Sequence, residues 1–262
     1  MKKVLLFLLI CALWAGLCLP LWAVSDQNDR LLTLVNPWNT VPEGWTVDLV
    51  NIGSGHKVDR TCYHDLMAML EACRADGLSP QVRSSYRTQK TQETLYANKV
   101  RQWKGYGYDE EAARKKAATI VAVPGTSEHQ LGWAVDIVDK SYQVLDERQA
   151  ETAAQQWLMA HSWEYGFILR YPTDKSDVTG IIYEPWHYRY VGRDNAKKIF
   201  DSGLCLEEYL EQEAHRAEVK TGVQTALEHL RVDTARRIFR LLTREDWQFD
   251  TIGSISADVM KP

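Results

Sequence analysis

Several features that would have pointed to a function are scarce or missing. The 262 residues hold 5 cysteines, none spaced as Cys-x-x-Cys, so a cysteine-held structural zinc is excluded. Cys11 and Cys18 fall in an N-terminal apolar run, which leaves Cys62, Cys73 and Cys205, an odd number. Cys62 and Cys73 share one helical pattern and stand roughly 16 Å apart at the helical rise, too far to pair with each other. A bond from one of them to Cys205 and three free thiols both remain open. Basic residues (31) do not outnumber acidic ones (35), and no basic patch stands out, so nucleic acid is not an expected partner. The apolar run over residues 4–19 is broken by Pro20 and falls short of the roughly twenty residues of a comfortable membrane span.

That run follows Met1-Lys2-Lys3 and precedes the small Ala23 and the polar Ser25-Asp26-Gln27, the layout of a secretory signal over residues 1–23. An N-terminal anchor, holding the protein to the membrane through residues 4–19, is the competing reading. Either one places the rest of the chain outside the cytoplasmic membrane, secreted or anchored to the membrane's outer face. Loss of Lys2 and Lys3 with the leader takes the net charge from −4 to −6. About 240 residues then remain, enough for one well-cored domain and an appendage.

The patterning alternates between helix and strand. Residues 31–53 read as extended, punctuated by Pro37 and Pro42. Residues 59–75 repeat apolar side chains at helical spacing through Leu66, Met69, Leu70 and Cys73, with Gly77 as the stop. Pro80–Ser84 reads as a short strand, and Thr88 caps a helix running to about Trp103. Further helices are expected over 110–122, 149–162 and 194–200, with strands at Phe167–Tyr171 and 186–191. Residues 173–180 read as a polar loop on the lip of a cleft. Beyond residue 204 the chain is rich in helix formers, with Val223, Ala226, Leu227 and Leu230 on one face, and 254–262 reads as a loose tail. The domain plan is a catalytic unit over 24–204 and a helical extension of unknown role over 205–262.

The stretch Ser127-Glu128-His129-Gln130-Leu131-Gly132-Trp133-Ala134-Val135-Asp136, with Glu184-Pro185-Trp186-His187 further on, concentrates the chemistry. Two imidazoles and a carboxylate suit a catalytic zinc, whose fourth position stays open to water. Residues 133–138 alternate in the strand manner. Trp133, Val135 and Ile137 share one face, and Asp136 sits on the other between the small Ala134 and Val138. Gly132 lets the backbone turn or pass close to a neighbour, so that His129 can fold back toward Asp136. Pro185 turns Glu184 away from helical angles, so this is not the helical zinc motif with its two histidines one turn apart. Glu184 is the spare carboxylate, close enough to His187 to move a proton. Glu128 and Asp139 read as solvated or supporting groups, and His56, His64, His161, His215 and His229 as ordinary surface or hydrogen-bonded histidines.

The pattern Ser-x-His-x-x-Gly-x-Ala-x-Asp (Ser127, His129, Gly132, Ala134, Asp136), the later Glu-Pro-Trp-His, and Ser85-Tyr86-Arg87-Thr88-Gln89-Lys90-Thr91-Gln92 together resemble the VanY-type D-alanyl-D-alanine carboxypeptidases. The resemblance spans roughly residues 33–210. It implies one zinc ion (Zn2+) per chain, bound by His129, Asp136 and His187, with Glu184 as general base and acid. Arg87 would stabilise the oxyanion, and Ser127, Gln92, Tyr86 and Trp186 would contact substrate. The implied fold is α+β, a small antiparallel sheet with helices packed on it and zinc in an open groove. The implied reaction is hydrolysis of the terminal D-alanine of a peptidoglycan stem pentapeptide. L,D-carboxypeptidase action on tetrapeptide stems, a wall endopeptidase and a non-catalytic wall-peptide-binding zinc module are the alternatives.

Overall fold

A computed structural model describes residues 30–242. The expected leader and the tail over 254–262 lie outside the described residues. The chain divides after Tyr209 into two units.

The first unit begins with a hairpin of β1 (Leu49–Gly53) and β2 (His56–Asp59), which the expected extended segment did not anticipate. Asp59 then caps α1 (Arg60–Ala75) by accepting from the Thr61 amide. This helix buries Cys62, Leu66, Met69, Leu70 and Cys73, the stripe its spacing foretold. Four strands, β3 (Pro80–Ser84), β4 (Ala134–Asp139), β5 (Phe167–Tyr171) and β6 (Glu184–Tyr190), form an antiparallel sheet in the order β3-β4-β6-β5. Between β3 and β4 run α2 (Gln89–Gly105), capped by Thr88, and α3 (Glu110–Ala118). The helix expected to reach residue 122 stops at Ala118, because Thr119 O and Ala122 O are taken up by Ile182 N and by the Gln92 side chain. The helix expected over 149–162 is split at Thr152, whose extended backbone caps α4 (Ala153–His161) after a short 3-10 turn. The loop expected over 173–180 contains α5 (Ser176–Thr179), and α6 (Arg193–Ser202) follows the last strand.

The sheet has two unlike faces. Trp133, Val135 and Ile137 of β4 and its approach join Tyr188 and Tyr190 of β6, Leu66 and Met69 of α1 and Leu158 of α4 in one apolar core. Each such side chain contributes roughly 1.5–3 kcal/mol by leaving water. The opposite face carries Asp136, His187 and Arg189, all buried. The long α7 (Leu206–Leu242) starts inside the first unit, where Cys205, Leu206 and Tyr209 are buried, so this unit closes slightly beyond residue 204. In the second unit the described residues form the rest of α7, with Val219, Val223, Leu227 and Leu230 exposed. Cys62, Cys73 and Cys205 are free and buried.

Candidate metal centre

The strand register brings the polar residues into one row, Ser84 opposite Asp136 and Asp136 opposite His187. His129 joins from a 3-10 turn (Glu128–Leu131) that Gly132 closes at φ 81°. A Cβ at Gly132 would stand 3.0 Å from Asp59 Cβ, so both the turn and the close approach require glycine. The turn is pinned at both ends, by Arg87 N donating to His129 O (3.1 Å) and Asp59 N donating to Gly132 O (2.9 Å).

These contacts fix which ring nitrogens face inward. His129 Nδ1 lies 2.8 Å from Ser85 O, and a carbonyl only accepts, so Nδ1 carries the proton and Nε2 keeps a free lone pair. Nε2 stands 3.3 Å from Asp136 Oδ2. His187 Nδ1 stands 3.1 Å from Asp136 Oδ1, yet this buried oxygen has no hydrogen-bond partner. Once His187 gives up its proton, this nitrogen and oxygen face each other as two acceptors, which is what a shared cation requires. The donor atoms of His129, Asp136 and His187 all lie within 4.8 Å of one another. Ligands about 2.1 Å from a tetrahedral zinc stand roughly 3.4 Å apart, so the trio fits that ion without large movement.

Charge is distributed unevenly around the trio. Burial opposes ionisation of Asp136, but His129, His187 and Arg87 hold its carboxyl well below the usual range. Burial and then the Arg87 charge push His129 down to about 4. For His187 burial is outweighed by the Asp136 and Glu128 carboxylates beside its two ring nitrogens, and its value rises to about 9. Glu184, 3.6 Å from His187 Nδ1, is pushed up to about 8, chiefly by burial.

Seven of the nine expected site residues, Arg87, Ser127, His129, Asp136, Glu184, Trp186 and His187, line one cleft of about 220 Å³. Arg87 is held by Ser84 Oγ (2.9 Å) and Asp136 Oδ2 (2.8 Å). The other two, Gln92 and Tyr86, do not line the cleft. Gln92 is fully buried behind Arg87, its Nε2 donating to Ala122 O (2.7 Å) and its Oε1 accepting from Arg87 Nη1 (3.5 Å). Tyr86 is half-buried, and its backbone N–H donates to Lys57 O (3.0 Å). Of the other tryptophans near the motifs, Trp133 belongs to the core and Trp163 stacks on Phe200. Residues 173–180 stay off the cleft wall, which takes Tyr171 and Ile181 from either side of them.

Glu128 is the residue that sequence reasoning undervalued. It is fully buried, and its Oε1 accepts from Arg170 Nε (2.7 Å) and Arg189 Nη1 (2.8 Å). Its Oε2 lies 3.5 Å from His187 Nε2, so it stands directly behind a histidine of the trio. Burial works against its charge, but the two guanidiniums hold it ionised. Arg170 also pairs with Glu207 at the root of α7 (2.6 Å), making a buried group of two acids and two bases. The available signal was an arginine in each of two strands rich in apolar and aromatic residues, Phe-Ile-Leu-Arg-Tyr and Glu-Pro-Trp-His-Tyr-Arg-Tyr, which calls for a buried acid.

Comparison with known proteins agrees with this geometry. The family model for VanY, D-alanyl-D-alanine carboxypeptidase, matches residues 55–193. A D-alanyl-D-alanine carboxypeptidase of Enterococcus faecalis (strain ATCC 700802 / V583) is 44% identical over 190 residues, covering 72% of this chain and 69% of that protein. VanYB solved in complex with D-alanine-D-alanine has a TM-score of 0.65 at 44% identity, covering 70% of this chain and 99% of that one. A mutant VanY from a VanB-type resistance cassette, solved with Zn(II), gives 0.63 at 45% identity, covering 68% and 98%. The LdcB LD-carboxypeptidase gives 0.61 at 35% identity, covering 71% and 88%. With the α+β fold, a donor trio of zinc geometry and these relatives in agreement, the chain belongs to the VanY D-alanyl-D-alanine carboxypeptidase family and is a zinc metallocarboxypeptidase.

Proposed function

We propose that the enzyme removes the terminal D-alanine of peptidoglycan stem pentapeptides outside the cytoplasmic membrane, with zinc held by His129, Asp136 and His187. The observation that carries the reading is Glu184, a buried carboxyl 3.6 Å from His187 Nδ1 in the same cleft. A purely structural metal site has no use for a further proton-carrying group there.

Zinc at this trio supplies Lewis acidity, which acidifies a water and draws charge from the scissile carbonyl. Glu184 takes the proton from the attacking water and returns it to the leaving amine. Its burial raises its proton affinity, and a neighbouring cation opposes that rise, leaving a group able to carry a proton near neutrality. Arg87 spends two donors on Ser84 and Asp136 and leaves Nη1 only loosely engaged at 3.5 Å, free to meet the oxyanion. Ser127 and Trp186 frame the end of the substrate, while Gln92 acts through its contact with Arg87. No side-chain nucleophile is required. No helix among the described residues is long and apolar enough to cross a membrane, and anchoring through residues 4–19 concerns a segment outside them.

The test is D-alanine release by the purified protein from a wall pentapeptide and the matching tetrapeptide, with and without chelator. Chelator-sensitive release from the pentapeptide supports the proposal. Release chiefly from the tetrapeptide would replace it with the L,D reading that the likeness to LdcB keeps in view.

A further inference from the structure

We infer that Lys99 gives the enzyme a preference for stem peptides that carry a free carboxylate upstream of the scissile bond. The inference rests on the carboxypeptidase reading above. Helix α2 runs along one side of the cleft, and Gln92, Leu95 and Lys99 follow the spacing of a single helical face. Gln92 touches Arg87, while Leu95 and Lys99 line the cleft itself.

The cleft holds two permanent cations in unlike states. Arg87 is committed to Asp136 at 2.8 Å. Lys99 is half-buried, and no hydrogen bond or ion pair engages its ammonium among the described residues. The same cleft also takes the apolar Leu95, Ile120 and Val121 into its lining. An unpaired ammonium on the wall of a binding cleft is completed by an anion that arrives with the ligand.

The spacing says where that anion sits. Lys99 lies seven residues beyond Gln92, about 10 Å along the helix. An extended peptide covers about 3.3–3.6 Å per residue, so a substrate laid along α2 with its scissile carbonyl at Arg87 and its upstream residues toward Lys99, the placement inferred here, comes to the ammonium within about three residues. Stem peptides offer two carboxylates in that region, the α-carboxylate of the γ-linked D-glutamate and the second carboxylate of a diamino-diacid side chain. Amidation neutralises either one.

The experiment compares kcat/KM for D-alanine release from pentapeptides that differ only in amidation at one or the other carboxylate. The wild-type protein is expected to favour the free acid by about tenfold. Lys99→Arg should keep the preference, Lys99→Ala abolish it and Lys99→Glu reverse it, and the carboxylate whose amidation matters identifies the source. Zinc content equal to that of the wild type in each variant separates lost selectivity from lost fold. Equal cleavage of free and amidated peptides by the wild type, or a preference that survives in Lys99→Ala, would overturn this inference alone. No D-alanine release from any pentapeptide would overturn the carboxypeptidase reading and the inference with it.

Discussion

The two faces of the four-stranded sheet are made by the same strands yet obey different rules. On one face Val135, Ile137 and Tyr188 pack against α1 and α4 and need only shape and apolarity. On the other, Asp136, His187 and Arg189 are as deeply buried but polar, and each has a place only through a specific partner. Alternation along β4 and β6 allows adjacent residues to serve stability and chemistry at once. Substitutions on the apolar face should therefore move stability and spare the site, while those on the polar face should separate into effects on metal, on chemistry and on fold.

The largest expected effect comes from His187→Ala, which should remove zinc and lower D-alanine release at least about a thousandfold. Metal analysis of the purified variant checks it, and full zinc occupancy would show that His187 is not a ligand. Next comes Glu128→Gln, which deprives Arg170 and Arg189 of an anion in a buried setting and should cost about 3–5 kcal/mol by urea denaturation. Replacing Glu128, Arg170 and Arg189 together by apolar residues should recover part of that loss. Leu66→Ala on the apolar side should cost about 2–5 kcal/mol while zinc affinity holds, and a parallel fall in affinity would contradict the separation of the two faces.

The smallest effect concerns pH. In the metal-free protein His187 keeps its proton up to about 9, and zinc must displace that proton to bind. Affinity should therefore rise with pH, by up to about tenfold per unit between neutrality and about 9, and level off above that value. Metal-buffer titrations at several pH values measure the slope, and a flat profile would show that no proton is displaced.

How much of this was legible in the sequence follows from the range of each interaction. The strand alternation from Trp133 to Ile137 with Asp136 opposed, the stripe of α1 and the close approach at Gly132 are local patterns, and the structure shows all three. The motifs also pointed to the cleft residues His129, Asp136, Glu184 and His187. The ion pairs of Glu128 with Arg170 and Arg189 join positions 42 and 61 residues apart, beyond any local pattern. The early end of α3 had the same kind of cause, since distant groups claim the carbonyls of Thr119 and Ala122. Splitting of the helix at Thr152 was a missed local cap, as its side chain accepts from the Gln155 amide. The free state of Cys205 depended on which cysteines the fold brings together, which its spacing did not reveal.

The central claim is that the polar face holds a metal and, beside it, a separate proton carrier. The most direct measurement is zinc content and D-alanine release of Glu184→Gln, taken on the same preparation. One zinc per chain with turnover lowered at least about a hundredfold is the predicted result. Loss of zinc would make Glu184 a ligand, and turnover near that of the wild type would remove it from the chemistry, so either outcome would contradict the account.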